Sequence, residues 1–261
     1  MVIENIIRPE WVERNPLYGF ILGACISTIG IFLGPMIFPN DASLAGVLLT
    51  TIAGLPFLHK IMRIEQQVGS YMAGTESFIK RNAHLMLIFF MFFMGMAASY
   101  LVWALILPDW MLGLVFSKQF AAFSGGTYTT TLGQFVMGTS VFKSIFMNNM
   151  RVLFTLMLLS VIYGAGSMII LVWNASVLGV FVTSLFSRAG LLVSSIPHII
   201  IEFTGFFLAA VAGGLLSIAF LRVDWHSEQF WQTITDSLYL IVFGIAFIFA
   251  GAFVESIVIL G

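Results

Sequence analysis

Charge is what this chain has least of. Lysine, arginine, aspartate and glutamate make up 9% of its 261 residues, against about a quarter in an ordinary soluble domain, so water is not its main solvent. What charge there is almost cancels, to −1, which removes the basic face that binding to nucleic acid requires. Cysteine is nearly absent too. With Cys25 alone, inside an apolar run, an intrachain disulfide and a thiolate zinc cluster are both excluded. The chain has no P-loop, no Gly-x-Ser-x-Gly elbow and no His-Glu-x-x-His helix. Its four histidines, His59, His84, His198 and His226, are spread along the chain, short of the three or four ligands zinc takes. No metal, no cofactor and no enzymatic activity are therefore expected. The first sixteen residues carry both signs of charge and lack the apolar core of a secretory signal, so the first hydrophobic segment is expected to be retained.

What fills the chain instead is hydrocarbon. Hydrophobic residues make up 60%, and they fall in blocks separated by short polar punctuation. A helix needs about 20 apolar residues to cross roughly 30 Å of hydrocarbon, and helices satisfy their own backbone, as a bilayer demands. The fold class is all-α: a polytopic transmembrane helical bundle of about seven spans, an N-terminal hairpin followed by a five-span core.

Span 1 is expected over residues 17–38 and stops at the turn Pro39-Asn40-Asp41; span 2, over 43–58, carries Pro56. Within span 1, Gly19 and Gly23, then Gly30 and Gly34, have the small-xxx-small spacing that lets membrane helices approach closely. Residues 59–82 hold the densest charge, with apolar positions at near-helical spacing, and read as an interfacial amphipathic helix. This hairpin and its helix form a first domain, 1–82, and the core a second, 83–261. Span 3 covers 83–107. Residues 109–149 read as a long surface or re-entrant segment, span 4 as 152–173, span 5 as 175–196 or a re-entrant hairpin, span 6 as 197–220 and span 7 as 238–260, with Asp236 near its start. Seven basic residues fall on one side of this topology and four on the other. The positive-inside rule then places the N-terminus in the cytoplasm of a multi-pass cell-membrane protein.

Ionisable residues inside a bilayer are expensive, about 2.5 to 3.5 kcal/mol at a helix centre on insertion scales, so those that persist usually face protein or water. His198 and Glu202 stand four apart and share a helical face. Glu255 lies near the end of span 7, on the side of Gly244 and Gly251. The topology brings Asn148, Asn149, Arg151, Arg188, His198, Glu202 and Glu255 toward one membrane face, with Arg151 and Arg188 as candidate charge partners. Asn174 falls on the opposite side.

Asn148-Asn149, Asn174, the run Pro197-His198-Ile199-Ile200-Ile201-Glu202, the small-residue stretch AAVAGG and a late AGAFVES occur in an order that resembles the stage II sporulation protein M family of membrane proteins, over about residues 83–261. Ile199 and Ala175 stand where that family often has glycine. The resemblance implies Asn148, Asn149, Asn174, His198, Glu202 and Glu255 as signature positions. It also implies a scaffold that recruits partner proteins to a membrane. A non-enzymatic scaffold or assembly factor is therefore the expected function, with the bilayer and other membrane or envelope proteins as partners and a homodimer through the glycine faces. The alternative is a transporter, channel or lipid-handling protein that uses the intramembrane polar cluster.

Overall fold

The computed structural model describes residues 9–71, 78–124, 138–163, 166–187 and 196–260. Ten α-helices run through them: α1 (Pro9–Arg14), α2 (Leu17–Ile37), α3 (Ala42–Tyr71), α4 (Phe78–Ile106), α5 (Asp109–Val115), α6 (Ser117–Ser124), α7 (Gly138–Tyr163), α8 (Gly166–Ser187), α9 (Ile196–Arg222) and α10 (Glu228–Leu260). No strand occurs among the described residues. Among the described residues, five stretches are long and apolar enough to cross a membrane, at 17–37, 39–58, 83–106, 197–221 and 228–258, and residues 168–183 of α8 form a shorter apolar helix. The protein is an all-α, multi-pass membrane protein.

Local chemistry sets the helix ends. Asn15 Oδ1 accepts from the Leu17 amide at 3.1 Å, satisfying one of the donors left open at the start of α2. Pro39 opens the short 3₁₀ turn Pro39–Asp41 that carries α2 into α3. At α10, Ser227 Oγ accepts from the Phe230 amide at 3.2 Å and Glu228 occupies the first turn, an N-cap with a favourably placed carboxylate.

The chain divides into two compact units, residues 1–123 with 168–183, and residues 124–167 with 184–261. In the first, α2 is the central helix, flanked by α3 and α4. The two glycine pairs of α2 serve different neighbours. A Cβ on Gly23 would overlap Phe92 O of α4, and one on Gly95 of α4 would overlap Phe20 O in return. Two to three turns further on, a Cβ on Gly34 would lie 2.7 Å from Ala42 O, and one on Gly30 2.7 Å from Gly46 O of α3. Backbone-to-backbone approach of this kind admits no side chain. Both glycine faces of α2 are thus covered within the chain. Ile31, Tyr100, Ala104, Val115, Phe116 and Val180 form a buried apolar cluster at the α4–α5 end of this unit.

In the second unit α9 and α10 form an antiparallel hairpin with α7 laid against both. Gly205 and Gly244 face each other across the hairpin, a Cβ on Gly205 coming within 2.8 Å of Gly244 O. Leu153, Ala209 and Ile248 make the buried centre, one residue from each helix. Phe142 and Phe146 of α7 pack edge-on against Phe249 of α10, with ring centroids 5.2 and 5.7 Å apart.

Several boundaries differ from the sequence reading. Residues 59–71 do not form a separate interfacial element: α3 continues through Pro56 to Tyr71. The division is not at residue 82, because α4 is locked to α2 by the Gly23 and Gly95 contacts. Spans 4 and 5 are displaced. Asn148 and Asn149 lie inside α7 rather than ahead of a span, and Asn174 lies inside α8 rather than closing one. The hydropathy of 152–173 reads as one block, whereas α7 is described to Tyr163 and α8 from Gly166, with residues 164 and 165 outside the described residues. Likewise α10 starts ten residues before 238, so Asp236 is buried within the helix, not near its start.

Candidate functional site

The polar residues expected to converge do so in part, entirely within the second unit. α9 presents His198 and Glu202 on one face, one helical turn apart. α10 runs antiparallel to it and brings Gly251 and Glu255 alongside. A Cβ on Gly251 would overlap Glu202 Cγ; the missing side chain is what seats the glutamate against α10. Glu255 is 5% exposed and His198 7%, and the two are near enough to interact electrostatically. Glu202 and Glu255 are in side-chain hydrogen-bonding contact.

The third wall comes from α7. Asn149, 9% exposed, donates from Nδ2 to Glu202 Oε1 at 2.7 Å. Successive helical residues are rotated by about 100°, so the adjacent Asn148 is exposed, as is Arg151. Neither joins the cluster. Asn174, half-buried in α8, belongs to the other unit, and Arg188 lies outside the described residues.

Four side chains from three helices therefore meet near one end of the α9–α10 hairpin: two carboxyls, an imidazole and a carboxamide. His198 Nδ1 is buried with no hydrogen-bond partner. Among the described residues no group of three or more histidine, cysteine, aspartate or glutamate side chains is arranged to hold a metal ion. The chemistry this set can support is the holding and passing of protons, or the fixing of three helices to one another.

The first unit contains polar contacts that sequence reasoning missed. Gln119 of α6 is fully buried. Its carbonyl Oε1 accepts from Ser43 Oγ of α3, and its Nε2 donates to Ser176 Oγ of α8 at 3.1 Å. Ser176 Oγ in turn donates to Trp173 O at 2.7 Å. The short helix α6 is pinned by this chain of bonds. Between α2 and α4, Thr28 and Ser99 share a hydrogen bond of 2.9 Å, and Trp103 Nε1 donates to Thr28 Oγ1 at 3.0 Å. The signal for Gln119 was a lone carboxamide among apolar and small residues. Serine and threonine give none, because their hydroxyls bond their own helix as readily, as Thr50 does to Gly46 O at 2.8 Å.

Comparison with known proteins adds one result. A family model described as stage II sporulation protein M matches residues 17–258. The match is wider than the 83–261 covered by the motif resemblance, and takes in the α2–α3 hairpin. No curated protein and no solved structure matches the chain.

Proposed function

This chain belongs to the stage II sporulation protein M family, and from that premise we propose that it is a non-enzymatic membrane scaffold or assembly factor that organises partner proteins in the cell membrane. The observation that carries this reading is how the buried polar side chains are used: Asn149 with Glu202, Gln119 with Ser43 and Ser176, and Thr28 with Ser99 each tie one helix to another. Bonds of this kind hold each bundle in one shape, as a platform for partners requires. The scaffold role implied by the family resemblance points the same way. The N-terminus lies in the cytoplasm on this reading, by the distribution of lysine and arginine. A homodimer would need a face other than the glycine faces of α2, which α3 and α4 cover.

Affinity purification in mild detergent tests the proposal. A persistent complex with the same membrane or envelope partners is expected. Repeated recovery of this chain alone, as a monomer, overturns it.

A second reading, transport, rests on one observation: a buried imidazole with an unpartnered nitrogen lies within electrostatic reach of Glu255 among polar groups inside the spans. In liposomes it predicts solute flux or lipid movement that Glu202→Gln or His198→Ala abolishes, and the absence of flux across a broad substrate panel counts against it.

A further inference from the structure

We infer that the His198, Glu202, Glu255 and Asn149 cluster is a proton-binding site, with the carboxyl pair as its store and His198 as the group through which the proton exchanges. The inference goes beyond the assembly reading and does not depend on it.

The first support is the contact between Glu202 and Glu255. Two ionised carboxylates are acceptors only. A hydrogen bond between them therefore needs one proton, and the pair then carries a single negative charge. Like-charged carboxyls sharing a site behave as one unit that holds a proton in common. The second support is independent of the first. His198 is 7% exposed and its Nδ1 has no partner, which is costly for a buried polar atom. An imidazole kept in that state within electrostatic reach of Glu255 is placed to give or take a proton rather than to hold the fold.

Among the described residues, the groups around the site come from the three helices that meet there. α7 supplies the neutral Asn149, α9 supplies His198 and Glu202, and α10 supplies Glu255. Asn149 Nδ2 can only donate, so its bond to Glu202 Oε1 marks that oxygen as an acceptor and leaves the shared proton to another oxygen of the pair. Gly251 keeps the pair together by leaving room for the Glu202 stem. Proton accounting closes. With one proton on the pair and a neutral imidazole, the cluster carries −1. Transfer of that proton to His198 leaves two carboxylates and one imidazolium, still −1. Uptake of a second proton from water makes the cluster neutral, the form that hydrocarbon admits at least cost.

Infrared spectroscopy of the full chain in lipid nanodiscs, titrated from acid to alkaline pH, tests this. The wild-type protein is expected to show a protonated-carboxyl C=O band that both Glu202→Gln and Glu255→Gln remove. His198→Asn is expected to keep the band and shift its titration midpoint. Should the glutamine variants fail to fold, Asn149→Ala decides: removing the donor to Glu202 is expected to move the band frequency. The inference is overturned by a wild-type protein with no such band, by a band unchanged in both folded glutamine variants or unmoved in Asn149→Ala, or by a band that responds to sodium in place of choline at fixed pH, which marks a metal-cation site. None of these readouts involves a partner protein, so the assembly reading stands or falls separately.

Discussion

Asn149 and Glu202 are 53 residues apart in sequence and 2.7 Å apart in the fold, with the carboxamide of α7 donating to the carboxylate oxygen of α9. The bond joins the long helix α7 to the α9–α10 hairpin at a position where the neighbouring Asn148 is exposed. One asparagine of the pair is thus structural to the site and the other is not.

Replacing Asn149 by leucine should weaken the second unit, and replacing Asn148 by alanine should not. Interhelical hydrogen bonds in membrane proteins are worth about 0.6 kcal/mol on average and up to about 1.7 kcal/mol. The buried position of Asn149 and its carboxyl acceptor put Asn149→Leu at the upper end. Asn148→Ala is expected within about 0.5 kcal/mol of wild type. Unfolding in mixed micelles measures both, and equal stability of the two variants would show that the bond does not form.

Two glycines make a matched pair. Gly251→Ala places a methyl group into Glu202 Cγ and is expected to cost about 1 to 3 kcal/mol, as overpacking does. Gly113→Ala, in the helix α5 with nothing within 4 Å of the added carbon, is expected to stabilise by about 0.5 to 1 kcal/mol through helix propensity. Thermal unfolding of the two variants should move in opposite directions.

The glycine faces of α2 allow a test of self-association. Because Gly30 and Gly34 meet α3 within the chain, Gly30→Leu should destabilise the folded chain itself and leave its oligomeric state unchanged. Size-exclusion chromatography with light scattering checks the second part. A leucine variant that remains fully folded but loses a dimer present in wild type would show that this face meets another copy.

Gln119→Leu should release α6. Ser43 and Ser176 would lose their shared partner in a buried place, at a cost of about 1 to 3 kcal/mol for groups left unsatisfied. Faster proteolysis within residues 117–124 is the expected sign, and unchanged protection sinks the idea.

Much of the candidate site was legible before the fold was. The four-residue spacing of His198 and Glu202 places both on one face, and the placing of Glu255 on the Gly244–Gly251 side of its helix anticipates the α9–α10 contact. Asn149 was legible only as one of two equal asparagines. Arg151, a candidate charge partner, proves exposed, and the partners found are neutral or of like charge. Gln119 was marked only as a lone carboxamide, and Ser43 and Ser176 left no mark, since a polar residue in an apolar block looks the same whether it meets lipid headgroups or another helix.

By itself the sequence determined the solvent and the element type. Near-absence of charge and blocks of about 20 apolar residues leave a chain no stable choice but helices across a bilayer, and these properties add up along the chain without any knowledge of contacts. Only the tertiary structure decided that Asn174 lies within α8, which glycine meets which neighbour, and that Asn149 rather than Asn148 closes on Glu202. Those outcomes depend on the rotation of each helix about its axis and on approaches between residues of different helices. Hydropathy averages over all sides of a helix, and so it cannot carry that information.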